Sequence, residues 1–348
     1  MDKERLQQIT APLLTWFAEH ARDLPWRIRP TAYRVWVSEI MLQQTRVEAV
    51  KPFYMRFMEA LPDVTDLAAC PEDRLLKLWE GLGYYSRVRN MQKAARMICE
   101  QYDGVMPVDY ETLLTLPGIG SYTAGAIASI AGGEAAPAVD GNVLRVAARL
   151  DNDFTPITDA KFKKQTRERF AALMPSDRPG DLNQSLMELG ATVCLPNGAP
   201  PCDDCPIQHL CEGFHRGNAA VLPLRAAKKG RRVENRTVLV VRCGQLVGLR
   251  QRPKKGLLAG LWELPSLDGH LSPDELRAAL TEMGWSVRKL LSLRPAKHIF
   301  THVEWHMNGV YVELDTPAPA LTFVTPAELR DAYALPSAFR SFVSVLED

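Results

Sequence analysis

The strongest constraint on the fold is a change in sequence pattern at a basic stretch, residues 223–236. Before it, residues 1–222 show apolar residues at helical spacing, interrupted by Pro and Gly; one such segment predicts a helix from about Ala32 to Glu59. After it, residues 237–348 contain short, turn-bounded segments rich in β-branched residues, which are typical of strands. We therefore expect an all-α region, an exposed basic linker and a separate α+β domain.

Charge gives little information about partners, because the molecule as a whole carries a formal net charge of only +1. Residues 1–222 contain 24 basic and 28 acidic side chains, whereas the linker contains 6 and 1. Nucleic-acid binding would have to depend on locally placed Arg and Lys side chains. No apolar run has the length of a membrane span, and the N-terminus is too polar for a signal peptide. We expect a monomer in the cytoplasm, bacterial-type and nucleoid-associated, with no membrane contact.

Four of the seven cysteines lie in one segment, CLPNGAPPCDDCPIQHLC. They are Cys194, Cys202, Cys205 and Cys211. A disulfide framework does not fit a chain without a signal peptide, so metal binding is favoured. Structural zinc usually takes two Cys-x-x-Cys pairs set well apart, whereas here one such pair is flanked by single cysteines in a tight loop. The spacing favours one [4Fe–4S] cluster over zinc.

The segment LPGIGSYTAG, residues 116–125, places Gly118 and Gly120 on either side of Ile119, between two predicted helices. Glycine adopts positive φ and approaches a phosphate closely, and the helix that follows presents its N-terminus to an anion. The pattern predicts a helix-hairpin-helix that holds a DNA phosphate without reading sequence. A plain connection between two helices is the alternative.

The hairpin, the Asp of AVDGNVLRV and the four-cysteine loop follow one another in an order that resembles the endonuclease III (helix-hairpin-helix) superfamily of base-excision DNA glycosylases. Within it, LPWR, SEIMLQQT, GLGYYSRVRN and VDGNVLRV resemble the adenine DNA glycosylases of the MutY type. The resemblance covers essentially the whole chain. It implies a six-helix lobe at about 30–135 with the hairpin at 113–128, an iron–sulfur lobe from 1–29 and 136–222, and a Nudix-like domain at 237–348.

The resemblance implies two catalytic carboxyls and a tyrosine. Glu39 follows Val35 and Trp36 by one helical turn, and this partly apolar face should raise its pKa and keep a proton available for adenine N7. Its residue pattern alone fits a solvated helix Glu equally well. Asp140 precedes a predicted helix as an N-cap; by resemblance it faces the oxocarbenium-like sugar. Tyr122 replaces the nucleophilic lysine of the lyase branch and is expected near Asp140, with core packing as the alternative.

Other residues are assigned by resemblance to the duplex and to the extruded base. Gln44 and Tyr84 would insert into the base stack, where ordinary helix packing is the alternative for Tyr84. The residues expected around adenine are Trp26, Arg27, Leu42 and Gln184; a surface amide is the alternative for Gln184. The chain departs from the family in having Leu144 where some relatives carry Lys, and in a first cysteine gap that is one residue longer than usual.

The C-terminal domain resembles a Nudix fold from GLRQRPKKGLLAGLWELP onward. A Nudix hydrolase needs several Glu residues on the following helix to hold Mg²⁺, and SPDELRAALTEMG lacks them, so we expect binding without hydrolysis. By resemblance, Phe300, Thr301 and His302 occupy the Phe-Ser-His positions that recognise 8-oxoguanine. From the pattern alone, HIFTHVEW is one ordinary strand.

These features predict a monofunctional glycosylase that flips adenine, mispaired with 8-oxoguanine or guanine, out of double-stranded DNA and excises it by hydrolysis. Another glycosylase of the superfamily, such as a thymine glycosylase or an endonuclease III-like lyase, is disfavoured by Tyr122 and by the C-terminal domain. A non-catalytic iron–sulfur DNA-binding protein is disfavoured by the pair Glu39 and Asp140.

Overall fold

The structure, a computed structural model, describes residues 3–225 and 230–346. The chain forms two compact units, one of Met1–Ala69 with Arg89–Ala227 and the other of Cys70–Val88 with Lys228–Asp348. The first is helical and the second combines helices with a sheet, which confirms the predicted fold class. The units divide the chain differently from the predicted domains, since residues 70–88 group with the C-terminal part.

Short helices dominate the chain before the sheet, because Pro, Gly and N-cap residues interrupt the helical pattern. In chain order these helices are α1 (Lys3–Gln7), α2 (Thr10–His20), α3 (Ala32–Leu42), α4 (Val47–Ala60), α5 (Val64–Ala69), α6 (Glu72–Leu78), α7 (Ser86–Gln101), α8 (Tyr110–Thr115), α9 (Ser121–Ile130), α10 (Gly141–Leu150), α11 (Ala160–Ala171), α12 (Pro179–Thr192) and α13 (Glu212–His215).

The single helix predicted from Ala32 to Glu59 is wrong. Helix α3 ends at Leu42 and α4 begins at Val47. Gln44, between them, has φ of 61°, a left-handed conformation that is uncommon for a residue other than glycine and that ends the helix. The sequence did not reveal the break, because both helices bury an apolar face and no Pro or Gly separates them.

One core of the helical unit joins distant parts of the chain. Helix α2 contributes Leu13 and Phe17, and these side chains pack with residues of α10, α11 and α12. On α12 the buried residues Leu182, Leu186 and Leu189 recur every three or four positions, so they form one face of the helix. This core brings residues before 30 together with residues after 136; the predicted lobe boundaries remain a prediction.

The second unit contains a mixed sheet in the order β3-β2-β1-β6-β5, with β4 beside β1 and β7 beside β2. Strands β1 and β6 are parallel and the other pairs are antiparallel. The strands are β1 (Arg232–Cys243), β2 (Leu246–Gln251), β3 (Trp262–Glu263), β4 (Ser266–Asp268), β5 (Val287–Ile299), β6 (Val303–Leu314) and β7 (Thr322–Val324). The helices that follow β1 in the chain are α14 (Pro273–Glu282), α15 (Pro326–Ala332) and α16 (Arg340–Val343).

Both faces of this sheet are covered, as the alternation along β1 shows. Val238 and Val240 belong to one core, whereas Leu239 and Val241 belong to the core on the other face, where α14 packs. The basic linker is shorter than predicted, because β1 begins at Arg232; residues 226–229 of the linker lie outside the described residues. Strand pairing, which the local sequence does not specify, extends the sheet into the linker.

The strand predicted over HIFTHVEW is also wrong. Strand β5 ends at Ile299 and β6 begins at Val303, so Phe300, Thr301 and His302 form the turn of a hairpin. The backbone N–H of Phe300 donates to the carbonyl of Val303 at 2.8 Å and closes this turn. Alternating apolar residues continue on both sides of it, which is why the pattern looked like one strand.

In the range 3–346, leaving out 226–229, the structure contains no helix with the length and apolar character of a membrane span.

Candidate active site

A cavity of about 1010 Å³ lies in the helical unit, lined by residues of α3, α9, α10 and α12. Its volume is in the upper range for a small-molecule or nucleobase site. Residues singled out from the sequence, which are up to 158 positions apart in the chain, line this one cavity. They are Trp26, Arg27, Glu39, Leu42, Gln44, Tyr122, Asp140 and Gln184.

Glu39 reaches the cavity from α3 and is only 6% exposed. Burial, with a smaller contribution from the charge of Asp140, raises the pKa of Glu39 to about 7, although a hydrogen bond from Tyr122 opposes the shift. The carboxyl is therefore close to half protonated near neutral pH. It can both hold and release a proton there, as a general acid must.

Asp140 caps the N-terminus of α10, in agreement with the sequence interpretation. Its Oδ1 accepts hydrogen bonds from the backbone N–H groups of Asn142 and Val143, both at 2.8 Å, and Oδ2 accepts from Nδ2 of Asn142 at 2.7 Å. Burial raises the pKa of Asp140, and these hydrogen bonds counteract that effect by favouring the ionised form. Asp140 is therefore a buried carboxyl of the cavity wall whose two oxygens both accept hydrogen bonds from N–H groups.

Tyr122, in the first turn of α9, donates its hydroxyl proton to Oε2 of Glu39 rather than to Asp140, the expected neighbour. The same hydroxyl lies 3.8 Å from Sδ of Met187. Burial raises the pKa of Tyr122 well above its usual range, so the hydroxyl keeps its proton. Tyr122 therefore acts on the acid in this structure, and its position follows from the packing of α9 against α3.

Among the cavity residues that the sequence reasoning missed are two charged ones, Glu188 and Arg22. Glu188 accepts hydrogen bonds from Nε and Nη2 of Arg22 at 2.6 and 2.9 Å, and from Nη2 of Arg27 at 2.8 Å. Burial opposes ionisation, yet these hydrogen bonds outweigh it and lower the pKa of Glu188 to about 2. The available signal was spacing, because Glu188 follows Gln184 by four residues on one helix and shares its face.

The predicted hairpin connects α8 to α9. Gly118 has φ of 80°, and a Cβ there would lie 2.8 Å from Cβ of Asn90, so both the conformation and the space require glycine. Gly120 is extended (φ −99°, ψ 177°) and is the N-cap of α9. No described atom lies within 4 Å of a Cβ built there, so the N-terminus of α9 is open to a ligand.

The four clustered cysteines all line one small apolar cavity. Within residues 3–225 and 230–346, no three His, Cys, Asp or Glu side chains are arranged as ligands of one metal ion. Burial raises the pKa of Cys205 to about 12, so metal binding would have to displace a proton. Nη1 of Arg149 lies 3.1 Å from Sγ of Cys194, and Nη2 of Arg149 is buried without a partner in the described part. A buried cation beside a cysteine sulfur suits a group held by thiolates.

In the second unit, Tyr84 and Thr301 lie together. Tyr84 has φ of 46° and is exposed, and its hydroxyl is 3.0 Å from Oγ1 of Thr301. The ring of Phe300 is held between His298 and Trp305, with ring centroids 4.6 and 4.9 Å away. Tyr84, which is predicted to enter the base stack, therefore contacts the turn at residues 300–302, which is predicted to recognise the lesion.

Two family models match separate parts of the chain. The model of the HhH-GPD superfamily base excision DNA repair proteins matches residues 37–173, and a NUDIX domain model matches residues 237–345. Adenine DNA glycosylase of Rattus norvegicus is 36% identical over 400 residues, which cover 97% of this chain and 77% of that protein. The adenine DNA glycosylase of Mycolicibacterium smegmatis is 40% identical over 236 residues, 66% of this chain and 79% of that protein.

Solved structures resemble the helical part. A thermostable thymine-DNA glycosylase aligns with a TM-score of 0.54 and 27% identity over 61% of this chain and 98% of its own. An endonuclease III in a non-covalent DNA complex aligns with a TM-score of 0.53 and 24% identity over 62% of this chain and 98% of its own. The latter likeness shows the fold alone.

Proposed function

The chain belongs to the adenine DNA glycosylase family, and from this premise we propose that it releases adenine mispaired with 8-oxoguanine or guanine in duplex DNA, by hydrolysis and without lyase activity. That it is a DNA N-glycosylase of base excision repair follows from the family. The observation that supports the proposal is the pair of buried carboxyls, Glu39 and Asp140, at one cavity: Glu39 shares a hydrogen bond with a tyrosine hydroxyl, whereas Asp140 accepts three hydrogen bonds from N–H groups, which favour its ionised form.

Release of adenine needs a protonated base and a stabilised sugar cation. The carboxyl of Glu39 faces the cavity and is the group that donates the proton. Because the hydroxyl of Tyr122 donates to Oε2, the proton of Glu39 lies on the other oxygen, Oε1, from which it can pass to N7 of the base. Asp140 keeps its charge through the cap hydrogen bonds and stabilises positive charge on the sugar, as the second carboxylate does in glycoside hydrolysis. Water then completes the reaction.

The residues of the cavity support hydrolysis without lyase activity. A lyase needs an amine that attacks the sugar carbon to form a Schiff base. Among the described residues, the cationic groups that line the cavity are arginines, with no lysine among them. Leu144, where some relatives carry Lys, is buried in the core and supplies no amine.

Cys194, Cys202, Cys205 and Cys211 would hold a [4Fe–4S] cluster, which would supply a structural or redox-active centre next to α10. We expect protein purified without oxygen to be brown and to absorb near 400 nm, because iron–sulfur clusters absorb there and zinc does not. Replacement of Cys205 with serine should remove this absorbance. A colourless wild-type protein that contains zinc would contradict the assignment.

We propose that Phe300, Thr301 and His302 select the base opposite adenine, since they form the exposed turn between β5 and β6. Single-turnover release of adenine opposite 8-oxoguanine and opposite guanine tests this, with thymine opposite guanine as a second substrate. The wild type is expected to favour 8-oxoguanine and to leave thymine. Replacement of Thr301 and His302 by alanine should lower the ratio of the rate opposite 8-oxoguanine to the rate opposite guanine by roughly 5- to 10-fold, the value of one to two hydrogen bonds. An unchanged ratio would reject this role.

A further inference from the structure

Glu188 has no part in the proposed chemistry, although its side chain lies in the cavity wall and is only 1% exposed. A buried ion pair contributes little net stability, because the loss of hydration offsets the attraction between the charges. Stability alone therefore does not account for a carboxylate at this place. Its neighbours suggest a role in arranging the side chains that meet the base.

Glu188 holds the guanidinium of Arg27 in one orientation. Nη2 of Arg27 donates to Glu188 at 2.8 Å, Nη1 donates to the carbonyl of Arg22 at 2.9 Å, and the guanidinium lies 5.1 Å from the ring centre of Phe17. These contacts determine the plane of the group. Nε of Arg27 is then directed at Gln184, whose Oε1 lies 3.2 Å away.

This contact decides which end of the Gln184 amide faces the cavity. A guanidinium carries only donors, so the Gln184 atom beside Nε must be the amide oxygen. The NH₂ group consequently lies on the other side, and it makes no hydrogen bond to the described residues. Gln184 lines the cavity, so a bound base meets a hydrogen-bond donor at this position.

We propose that Glu188 is a positioning residue for base selection: through Arg27 it keeps the Gln184 amide with its NH₂ group inward, where this donor binds the ring nitrogen N1 of the extruded adenine. N1 of adenine is an acceptor, whereas N1 of guanine and of hypoxanthine carries a hydrogen. Guanine or hypoxanthine would therefore place its N1–H donor against the NH₂ donor of Gln184. A buried donor without an acceptor costs binding free energy. The proposal rests on the proposed release of adenine and deepens it.

The test uses 1-deaza-2′-deoxyadenosine opposite 8-oxoguanine, because this nucleoside replaces N1 by C–H and keeps N7 and the amino group. Single-turnover rates for it and for deoxyadenosine are compared in the wild type, Gln184→Ala and Glu188→Leu, because leucine offers no acceptor to Arg27. The ratio of the deoxyadenosine rate to the 1-deaza rate should be about 10-fold higher in the wild type than in either variant, since one hydrogen bond in a site has about this value. A merely structural Glu188 would change stability and leave the ratio unaltered.

Two further variants separate positioning from general damage to the cavity wall. Arg22→Gln removes two side-chain hydrogen bonds to Glu188 but leaves Arg27 beside Gln184, so it should keep the wild-type ratio. Arg27→Lys keeps a positive charge but cannot make all three hydrogen bonds, so it should lower the ratio even if Glu188→Leu does not fold.

Equal ratios in the wild type, Gln184→Ala and Arg27→Lys would overturn the proposal, and so would a ratio in Arg22→Gln as low as that in Glu188→Leu. Failure of the proposed function would look different, because the wild type would then release no adenine opposite 8-oxoguanine. If the wild type releases adenine normally but the variants have the same ratio as the wild type, only the proposed role of Glu188 is wrong.

Discussion

Replacement of Glu39 by glutamine is expected to lower the single-turnover rate of adenine release by about 10²- to 10⁴-fold, the usual contribution of a general acid. Glutamine retains the shape of the side chain and can still accept the hydrogen bond from Tyr122, but it has no acidic proton to give to the base. Affinity for the uncleaved duplex should remain at the wild-type level. Rapid-quench kinetics with enzyme in excess, together with equilibrium binding, measure both quantities.

The role of Glu39 as the acid also predicts the direction in which the wild-type rate changes with pH. Because the pKa of Glu39 is raised to about 7, the protonated fraction decreases as pH rises through 7. We expect the rate to decrease about tenfold per pH unit above that value, whereas the residual rate of Glu39→Gln should be flat there. A Glu39→Gln variant with wild-type rates would remove Glu39 from the role of acid.

A low rate caused by misfolding of Glu39→Gln would be accompanied by lower stability, whereas we expect this variant to be at least as stable as the wild type. Since burial raises the pKa of Glu39, the stability that its protonated form contributes is complete below the unfolded pKa and is lost as pH rises through the folded pKa. Glutamine does not ionise, so Glu39→Gln should be more stable than the wild type at pH 8, by up to roughly 3 kcal/mol. Thermal melts at pH 5 and pH 8 check this.

The second large effect is expected for Asp140→Asn, which should lower the rate of adenine release by about 10²- to 10³-fold, similar to the loss of one charge-stabilising group in other enzymes. Asparagine still accepts the backbone hydrogen bonds of Asn142 and Val143, and it caps helices as well as aspartate does. The variant therefore removes the negative charge that faces the sugar and keeps α10 capped. Single-turnover kinetics and thermal melts measure the two effects separately.

The chain offers a matched control at another helix. Asp159 caps α11 and accepts from the backbone N–H of Phe162 at 2.8 Å, but it does not line the cavity. Asp159→Asn makes the same chemical change and should leave the rate of base release at its wild-type value. If Asp140→Asn is as active as Asp159→Asn, Asp140 is only a cap and the proposed stabilisation of the sugar is wrong.

Several features of the site were predictable because they depend on short stretches of chain. The N-cap at Asp140 follows from a polar residue directly before a helical pattern. The hairpin follows from the glycine spacing, at least for Gly118, where only glycine fits. The missing amine follows directly from the identities of Tyr122 and Leu144. None of these conclusions needs the distance between separate segments.

Other features could not be predicted, because they depend on how segments meet. No local pattern says that Tyr122 bonds Glu39, 83 positions away, rather than Asp140. The pKa of Glu39 depends on how completely α3 is covered by its neighbours, which its own apolar spacing only suggests. The break at Gln44 was invisible because the apolar pattern continued across it.

Residue type, spacing and period are local properties of a chain, so they were enough to predict the class of the two domains, the family and the candidate acids and sulfurs. Which side chains face one cavity, how their pKa values shift, and that Glu188 holds Arg27 against Gln184 became visible only in the folded chain. Burial and hydrogen bonding arise between segments far apart in the chain. Both are properties of packing, and packing exists only once the chain has folded.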